Sequence, residues 1–308
     1  MGRGVAIVVI LGLAALAGLG WWAWTPDLPR AALEAKYLER PDDLIEVAGV
    51  RLHARDRGPA DAPALILLHG FGSSAHTFEA WQQALADRFR TIAIDLPGSG
   101  LSSPDATGRY DDARVIEVIT ALMDQKQIAR ATLVGNSIGG RIAWTMAARQ
   151  PERVERLVLI APDGFASGRF GYGQAPEVPW TAKLMRHVLP RAFLKLNLAP
   201  AYGDKAALGE ATVDRYWELM RAPGVREAML ARMAQTVLEP PEPLLARISC
   251  PVLILWGERD RAIPASHAAD WQRLLPHSRV VILPGLGHVP QEEAPERSLE
   301  PVRAFLGG

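Results

Sequence analysis

The chain has 308 residues, 49% of them hydrophobic, which is enough for one domain with a sizeable core and an embedded lid. Its 34 basic and 34 acidic residues balance, so nothing in the charge favours nucleic acid or a strongly acidic partner. The single Cys250 excludes an intrachain disulfide.

Val5 to Trp24 carries no charged residue. As a helix this stretch would run about 30 Å, the thickness of a bilayer's hydrocarbon core. Trp21, Trp22 and Trp24 gather at its end, where amphipathic rings favour a membrane interface. The expectation is an uncleaved single-pass anchor over 1–24 and a membrane localisation. The rival is a cleaved signal peptide, with Arg3 as its charged start and Ala15-Leu16-Ala17 as its cleavage site, although that tripeptide lies inside the apolar run. Arg3 on one flank opposes Arg30, Lys36 and Arg40 on the other, so the side on which the rest of the chain lies stays open. A linker is expected over 25–42, where Pro26, Pro29 and Pro41 surround a short helical stretch, Ala31–Leu38.

From residue 43 the pattern becomes that of alternating strands and helices. Leu44–Val47 and Val50–Ala54 flank Ala48-Gly49 as a hairpin. Leu65–Leu68 reads as a short buried strand ending in His69-Gly70-Phe71-Gly72. Helical periodicity covers Phe78–Ala86 and Asp112–Ile128, with Asp95-Leu96-Pro97-Gly98-Ser99-Gly100 as a turn between them. Ala131–Val134 is the next strand, and it runs into Gly135-Asn136-Ser137-Ile138-Gly139-Gly140. Ile138, Ile142, Ala143, Met146 and Ala147 then recur three or four apart, as on one helix face. Three further strands are Leu157–Ile160, Val252–Leu255 and Val280–Leu283. They end at Asp163, at Trp256-Gly257-Glu258-Arg259-Asp260 and at Pro284-Gly285-Leu286-Gly287-His288.

A strand, a Gly-rich turn around a serine and a helix make a nucleophile elbow, in which side chains at the glycine positions would collide with strand and helix. The short motif alone reads equally well as a tight turn. Its weight comes from three other polar groups placed just past apolar strands, where open α/β sheets put their ligands. A serine hydroxyl is a poor nucleophile at neutral pH without a base and an orienting acid. Of the seven histidines, His288 alone lies in a Gly-rich loop after a late strand; His267 and His277 read as structural, and His69 as a brace for the loop it precedes. Asp260 is the preferred acid and Asp163 its competitor, since both follow strands. No cofactor or metal ion is expected, because no ligand cluster has recognisable spacing.

These segments resemble the α/β-hydrolase superfamily over roughly residues 43 to 306. The resemblance implies a mostly parallel central sheet, helices on both faces and an inserted helical cap. It also implies Ser137 as nucleophile, His288 as general base, Asp260 as the group that orients it, and the backbone N–H groups of Phe71 and Ile138 as oxyanion hole. Ser99 stands where many relatives carry histidine. The expected division is core over 43–163 and 239–308 and cap over 164–238, because about ninety residues separate the strands ending at Ile160 and beginning at Val252. The cap is rich in aromatic side chains and contains Met185, Met220, Met229 and Met233; most of these read as its own core, and 164–180 as an acyl-binding mouth.

The plan resembles single-span lipases and monoacylglycerol lipases, which implies a serine esterase or lipase acting on moderately hydrophobic or lipid-like esters, with the membrane as partner through the N-terminal helix. The alternative is a C–C bond hydrolase of ring-cleavage dienones, where G-N-S-x-G-G also occurs. That reaction needs a basic group for a carboxylate, for which Arg141 is the candidate unless it lies on the helix surface. A non-catalytic binding protein is the remaining class, disfavoured by the complete set of triad residue types.

Overall fold

The computed structural model describes residues 7–8, 10–12, 18, 20, 23–167 and 171–307. Eight strands form one sheet in the order β1-β2-β4-β3-β5-β6-β7-β8. They are β1 Leu44–Val47, β2 Val50–Arg57, β3 Ala64–Leu68, β4 Arg90–Ile94, β5 Ala131–Asn136, β6 Val154–Ile160, β7 Val252–Gly257 and β8 Arg279–Leu283. The first two pair antiparallel, β2 lies antiparallel to β4, and every later neighbour is parallel. The expected hairpin is present, with Ala48 and Gly49 both at positive φ in its two-residue turn. This is the geometry whose twist suits a hairpin.

The central strands are near-continuous apolar runs because both faces of the sheet are covered. One face packs α3 (Asp112–Gln125), α4 (Ile138–Arg149) and α10 (His267–Leu274), with Ile116, Ile119, Met146 and Trp271 in its core. The other packs α2 (Glu79–Leu85) and α12 (Pro295–Leu306), with Trp81, Leu85, Leu299 and Val302. Helix α3 starts where the Asp111 side chain accepts the Arg114 N–H at 2.9 Å. It ends before the expected Ile128, because Gln127 turns left-handed at φ 57°.

All parallel strands point the same way, so the residues that follow them share one edge of the sheet. Four short helices and α9 (Glu242–Leu245) stand between β6 and β7: α5 (Trp180–Lys183), α6 (Arg191–Leu198), α7 (Glu210–Leu219) and α8 (Val225–Gln235). We propose 164–238 as the cap over that edge. Helix α11 (Pro290–Glu293) lies just past β8.

The segment expected as a linker lies against the cap. Thr25 donates its N–H to His187 O at 2.7 Å and accepts from Leu189 N at 3.1 Å. The buried Arg226 guanidinium donates to Thr25 O at 2.7 Å, and Leu28 N to Arg221 O at 2.8 Å. Leu33 of α1 (Arg30–Tyr37) is buried among cap residues that include Tyr216, Leu219 and Met220.

The expected anchor over 1–24 lies mostly outside the described residues. Among the described residues no helix is long and apolar enough to cross a membrane, so the single-pass membrane localisation is corrected. Trp24, expected to sit at a membrane interface, instead stacks on His187 with ring centroids 5.1 Å apart. Uncharged length alone was a misleading signal, because a ring beside an apolar run also satisfies itself on protein.

Docking of α1 predicts that Leu33→Ala lowers stability by about 2–5 kcal/mol, the cost of an emptied buried leucine site. Denaturant unfolding measures it, and an unchanged midpoint would show that residues 25–37 do not hold to the cap.

Candidate active site

Ser137 ends β5 at φ 56° and ψ −119°, a conformation that a non-glycine residue adopts only under constraint. Its backbone is held on both sides, by Ser137 N to Ile160 O at 3.0 Å and by Asp163 N to Ser137 O at 3.1 Å. A Cβ on Gly135 would lie 2.3 Å from Gly139 O, and one on Gly139 would lie 2.2 Å from Leu68 O. Both obstacles are backbone, so neither can move aside. The hydroxyl of Ser137 makes no hydrogen bond to another group among the described residues, and it is free for a substrate.

His288 reaches the same edge from the loop after β8. Its N–H donates to Ala201 O at 2.7 Å, and its carbonyl accepts from Asn136 Nδ2 at 2.9 Å. The residue before Ser137 therefore grips the loop that carries the histidine. His288 Nδ1 lies 2.7 Å from Asp260 Oδ2. The other oxygen of Asp260 accepts from Ala262 N at 2.8 Å and Ile263 N at 2.9 Å. With Asp260 accepting at Nδ1–H, Nε2 is the ring nitrogen of His288 left to accept a proton.

Asp163 does not meet His288. Its carboxylate pairs with Arg141, whose Nε also donates to Asp112 Oδ2 at 2.7 Å. Arg141 is 4% exposed, so it is neither the surface residue nor the free carboxylate receptor that the sequence allowed. Burial works against its charge, but Asp112 and Asp163 overcome that and hold it firmly protonated.

The segment Gly70–Ser73 is a tight turn closed by Ser73 N to Gly70 O at 3.2 Å, with Gly72 at φ 68°. Positive φ at the third position is what a type II turn requires. A Cβ on Gly70 would stand 3.3 Å from Ser137 Cβ, so the turn lies directly beside the serine. The N–H groups of Phe71 and Ile138 make no backbone hydrogen bond among the described residues, and the latter is one of the unpaired donors that every helix start leaves. His69 braces this turn, as expected: Nδ1 lies 2.7 Å from Gly70 O while Nε2 accepts from Leu96 N at 3.0 Å. Nε2 can accept only while the ring is neutral, and burial lowers its pKa accordingly.

Sequence reading missed the polar cluster beneath this turn. Asp95 Oδ2 lies 2.7 Å from His53 Nδ1 and accepts Leu101 N at 2.7 Å, while Oδ1 accepts Ala75 N at 2.6 Å. Burial opposes its ionisation, but its pairing with His53 holds the carboxyl well below the usual range. Burial also pushes His76 down to about 4.

An apolar cavity of about 910 Å³ opens at Phe71, lined by Leu184, Met185, Phe193, Met220 and Met229 among others. Glu177 is the only ionisable side chain among its described lining residues. The expected acyl-binding mouth over 164–180 contributes Pro176 to Pro179, and part of it, 168–170, lies outside the described residues.

A mostly parallel eight-stranded sheet with helices on both faces and polar loops along one edge is the architecture of doubly wound α/β proteins. The chain belongs to the alpha/beta hydrolase fold family, whose profile matches residues 63–295. It is 34% identical to the dihydrolipoyllysine-residue acetyltransferase component of the acetoin cleaving system of Pseudomonas putida, over 85% of this chain and 68% of that one. Among solved structures it is similar to a membrane phospholipase A described as a bacterial virulence factor. That match has a TM-score of 0.73 and 28% identity, and covers 100% of this chain and 99% of that one. A meta-cleavage product hydrolase matches with a TM-score of 0.72 and 25% identity, over 85% and 97% of the two chains.

Asp260→Asn should lower kcat by about three to four orders of magnitude, because an amide at Nδ1 favours the wrong tautomer of His288. Asp163→Asn should cost far less activity, and the reverse ranking in steady-state kinetics would move the acid to β6. A second expectation concerns pH. His69 and His76 have folded pKa values below their unfolded value of about 6.5, so their contribution is complete above that pH and is lost as pH falls toward the folded values. Between pH 6.5 and 5 stability should therefore fall, by up to about 1.4 kcal/mol per pH unit for each histidine. His76→Gln should flatten that slope in urea titrations; an unaltered slope would assign it to other groups.

Proposed function

We propose that the protein is a serine hydrolase that cleaves carboxylic esters of lipid-like substrates through an acyl-serine intermediate. The observation that carries this reading is the apolar cavity beginning at Phe71, the residue after Gly70, which lies beside Ser137. Its size falls within the usual range of small-molecule sites, and its mostly apolar lining suits an alkyl chain. In this reading Ser137 Oγ attacks the ester carbonyl while His288 Nε2 takes its proton. Asp260 stabilises the imidazolium that forms. The carbonyl oxygen gains negative charge within reach of the N–H groups of Phe71 and Ile138; removing one such donor typically costs about 3–4 kcal/mol. The alcohol leaves with the proton from His288, and water repeats the attack on the acyl-serine. Similarity to a structure described as a membrane phospholipase A supports the same substrate class.

Cleavage of a carbon–carbon bond in a ring-fission product is the second reading, favoured by the G-N-S-I-G-G elbow and by likeness to a meta-cleavage product hydrolase. A carboxylate on such a substrate needs a cation. Arg141 is committed to Asp112 and Asp163, and the cavity lining described contains no basic side chain. Ester hydrolysis is therefore the reading we adopt.

Each methylene buried in an apolar site is worth about 0.8 kcal/mol, or roughly fourfold in binding. With p-nitrophenyl esters, kcat/KM should rise from C2 to at least C8 by up to about that factor per methylene. Ser137→Ala should abolish both turnover and labelling by a fluorophosphonate probe while leaving the unfolding midpoint in place. Activity confined to a dienone, or retained in the alanine variant, would overturn this assignment.

A further inference from the structure

We propose that Tyr216, on cap helix α7, is a positioning residue for the oxyanion turn, acting through Ser73; this rests on the serine-hydrolase reading above. The turn Gly70–Ser73 carries the Phe71 N–H, and its last residue is the only one of the four whose side chain reaches into the cap through a hydrogen bond. Ser73 Oγ lies 3.0 Å from Tyr216 Oη. Tyr216 Oη in turn lies 2.8 Å from Glu292 Oε2, on α11 four residues after His288. A carboxylate oxygen only accepts, so the tyrosine proton goes to Glu292 and the Ser73 hydroxyl donates to Tyr216. The direction of the whole chain is thereby fixed.

Glu292 is firmly placed. It also accepts from Tyr202 Oη at 3.1 Å and from Thr77 Oγ1 at 3.3 Å, and it pairs with Arg215. Burial, joined by the charge of Glu292, pushes the Tyr216 hydroxyl pKa upward and keeps it a donor. The cap presses on the same turn from above: a Cβ on Gly72 would lie 2.7 Å from Met220 Cε and 3.3 Å from Met229 Cε. On its other side the turn hangs on His69, which belongs to the core. Two anchors of different origin thus hold one N–H group, and the cap anchor is tied to the helix that follows the histidine. A displacement of about 1 Å at a catalytic group can cost a hundredfold in rate. Loss of one of two anchors should cost less than that.

The test compares wild type, Tyr216→Phe, Ser73→Ala and the double variant on a p-nitrophenyl ester, with the rate of fluorophosphonate labelling at Ser137 as a second readout. Each single variant should lower kcat and the labelling rate by about tenfold and change KM far less, because Ser73 and Tyr216 hold the N–H group that meets the reacting oxygen. The double variant should be no slower than the slower single variant, as expected when one residue acts only through the other. Multiplicative losses, or a loss confined to KM, would overturn the inference, as would wild-type kcat in Ser73→Ala, which leaves the cap core untouched. A wild-type protein whose Ser137 does not react with the probe would overturn the serine-hydrolase reading itself.

Discussion

A serine held at positive φ at the end of β5 is the constraint on which the rest of this structure depends. Such a conformation costs roughly 1–3 kcal/mol and persists only where its surroundings over-determine it. Here they do, because the Ser137 backbone is bonded to β6 and to the segment that follows it, while Gly139 lies against the carbonyl of Leu68 at the end of β3. Three adjacent strands thus meet at one turn. The side chain of Asn136 then carries the arrangement to the histidine loop, donating to the carbonyl of His288 and to that of Ile160.

The carboxylates along this edge are sorted by their partners. Asp260 has an imidazole and two backbone N–H groups, Asp163 has a guanidinium, and Asp95 has an imidazole and two further backbone donors. A buried carboxylate is expensive unless every lone pair is met, so each can serve only the chemistry its partners allow. Arg141 of α4 binds Asp112 of α3 and Asp163 of the loop after β6, while the imidazole of His288 meets Asp260. Asp95 anchors the chain just past the turn by accepting from Ala75, and the same carboxylate holds Leu101.

The cap joins two tasks that a chain of separate modules would keep apart. Met220 and Met229 lie against Gly72 of the turn beside Ser137 and also line the apolar cavity. Residues 25–37 extend that unit, since Thr25 bonds the backbone around His187 and Leu189 while Leu33 fills the cap's core. The cavity wall formed by Val188 and Leu189 is therefore held partly by the chain's own N-terminal segment.

Local pattern determined much of this protein without any structure. Apolar runs of four residues placed β3 and β5 to β8 but left β4 unnamed, and the glycines of G-N-S-I-G-G announced a turn too tight for side chains. Polar residues past strand ends nominated Ser137, Asp260 and His288, which the fold brings to one edge. Tertiary structure alone decided the rest, because it depends on distances between segments far apart in sequence. Asp163 and Asp260 follow strands in the same way, and only the partner that reaches each, Arg141 or His288, tells them apart. Arg141 could be read as surface residue or carboxylate receptor, until the fold gave it one aspartate from α3 and one from the loop after β6. The uncharged stretch before Thr25 suggested a membrane span, whereas Trp24 rests on His187. Tyr216, Ser73 and Glu292 share no local motif; their sequence separations of 76 and 143 residues leave no periodic trace, and only the folded chain closes them into one hydrogen-bonded line.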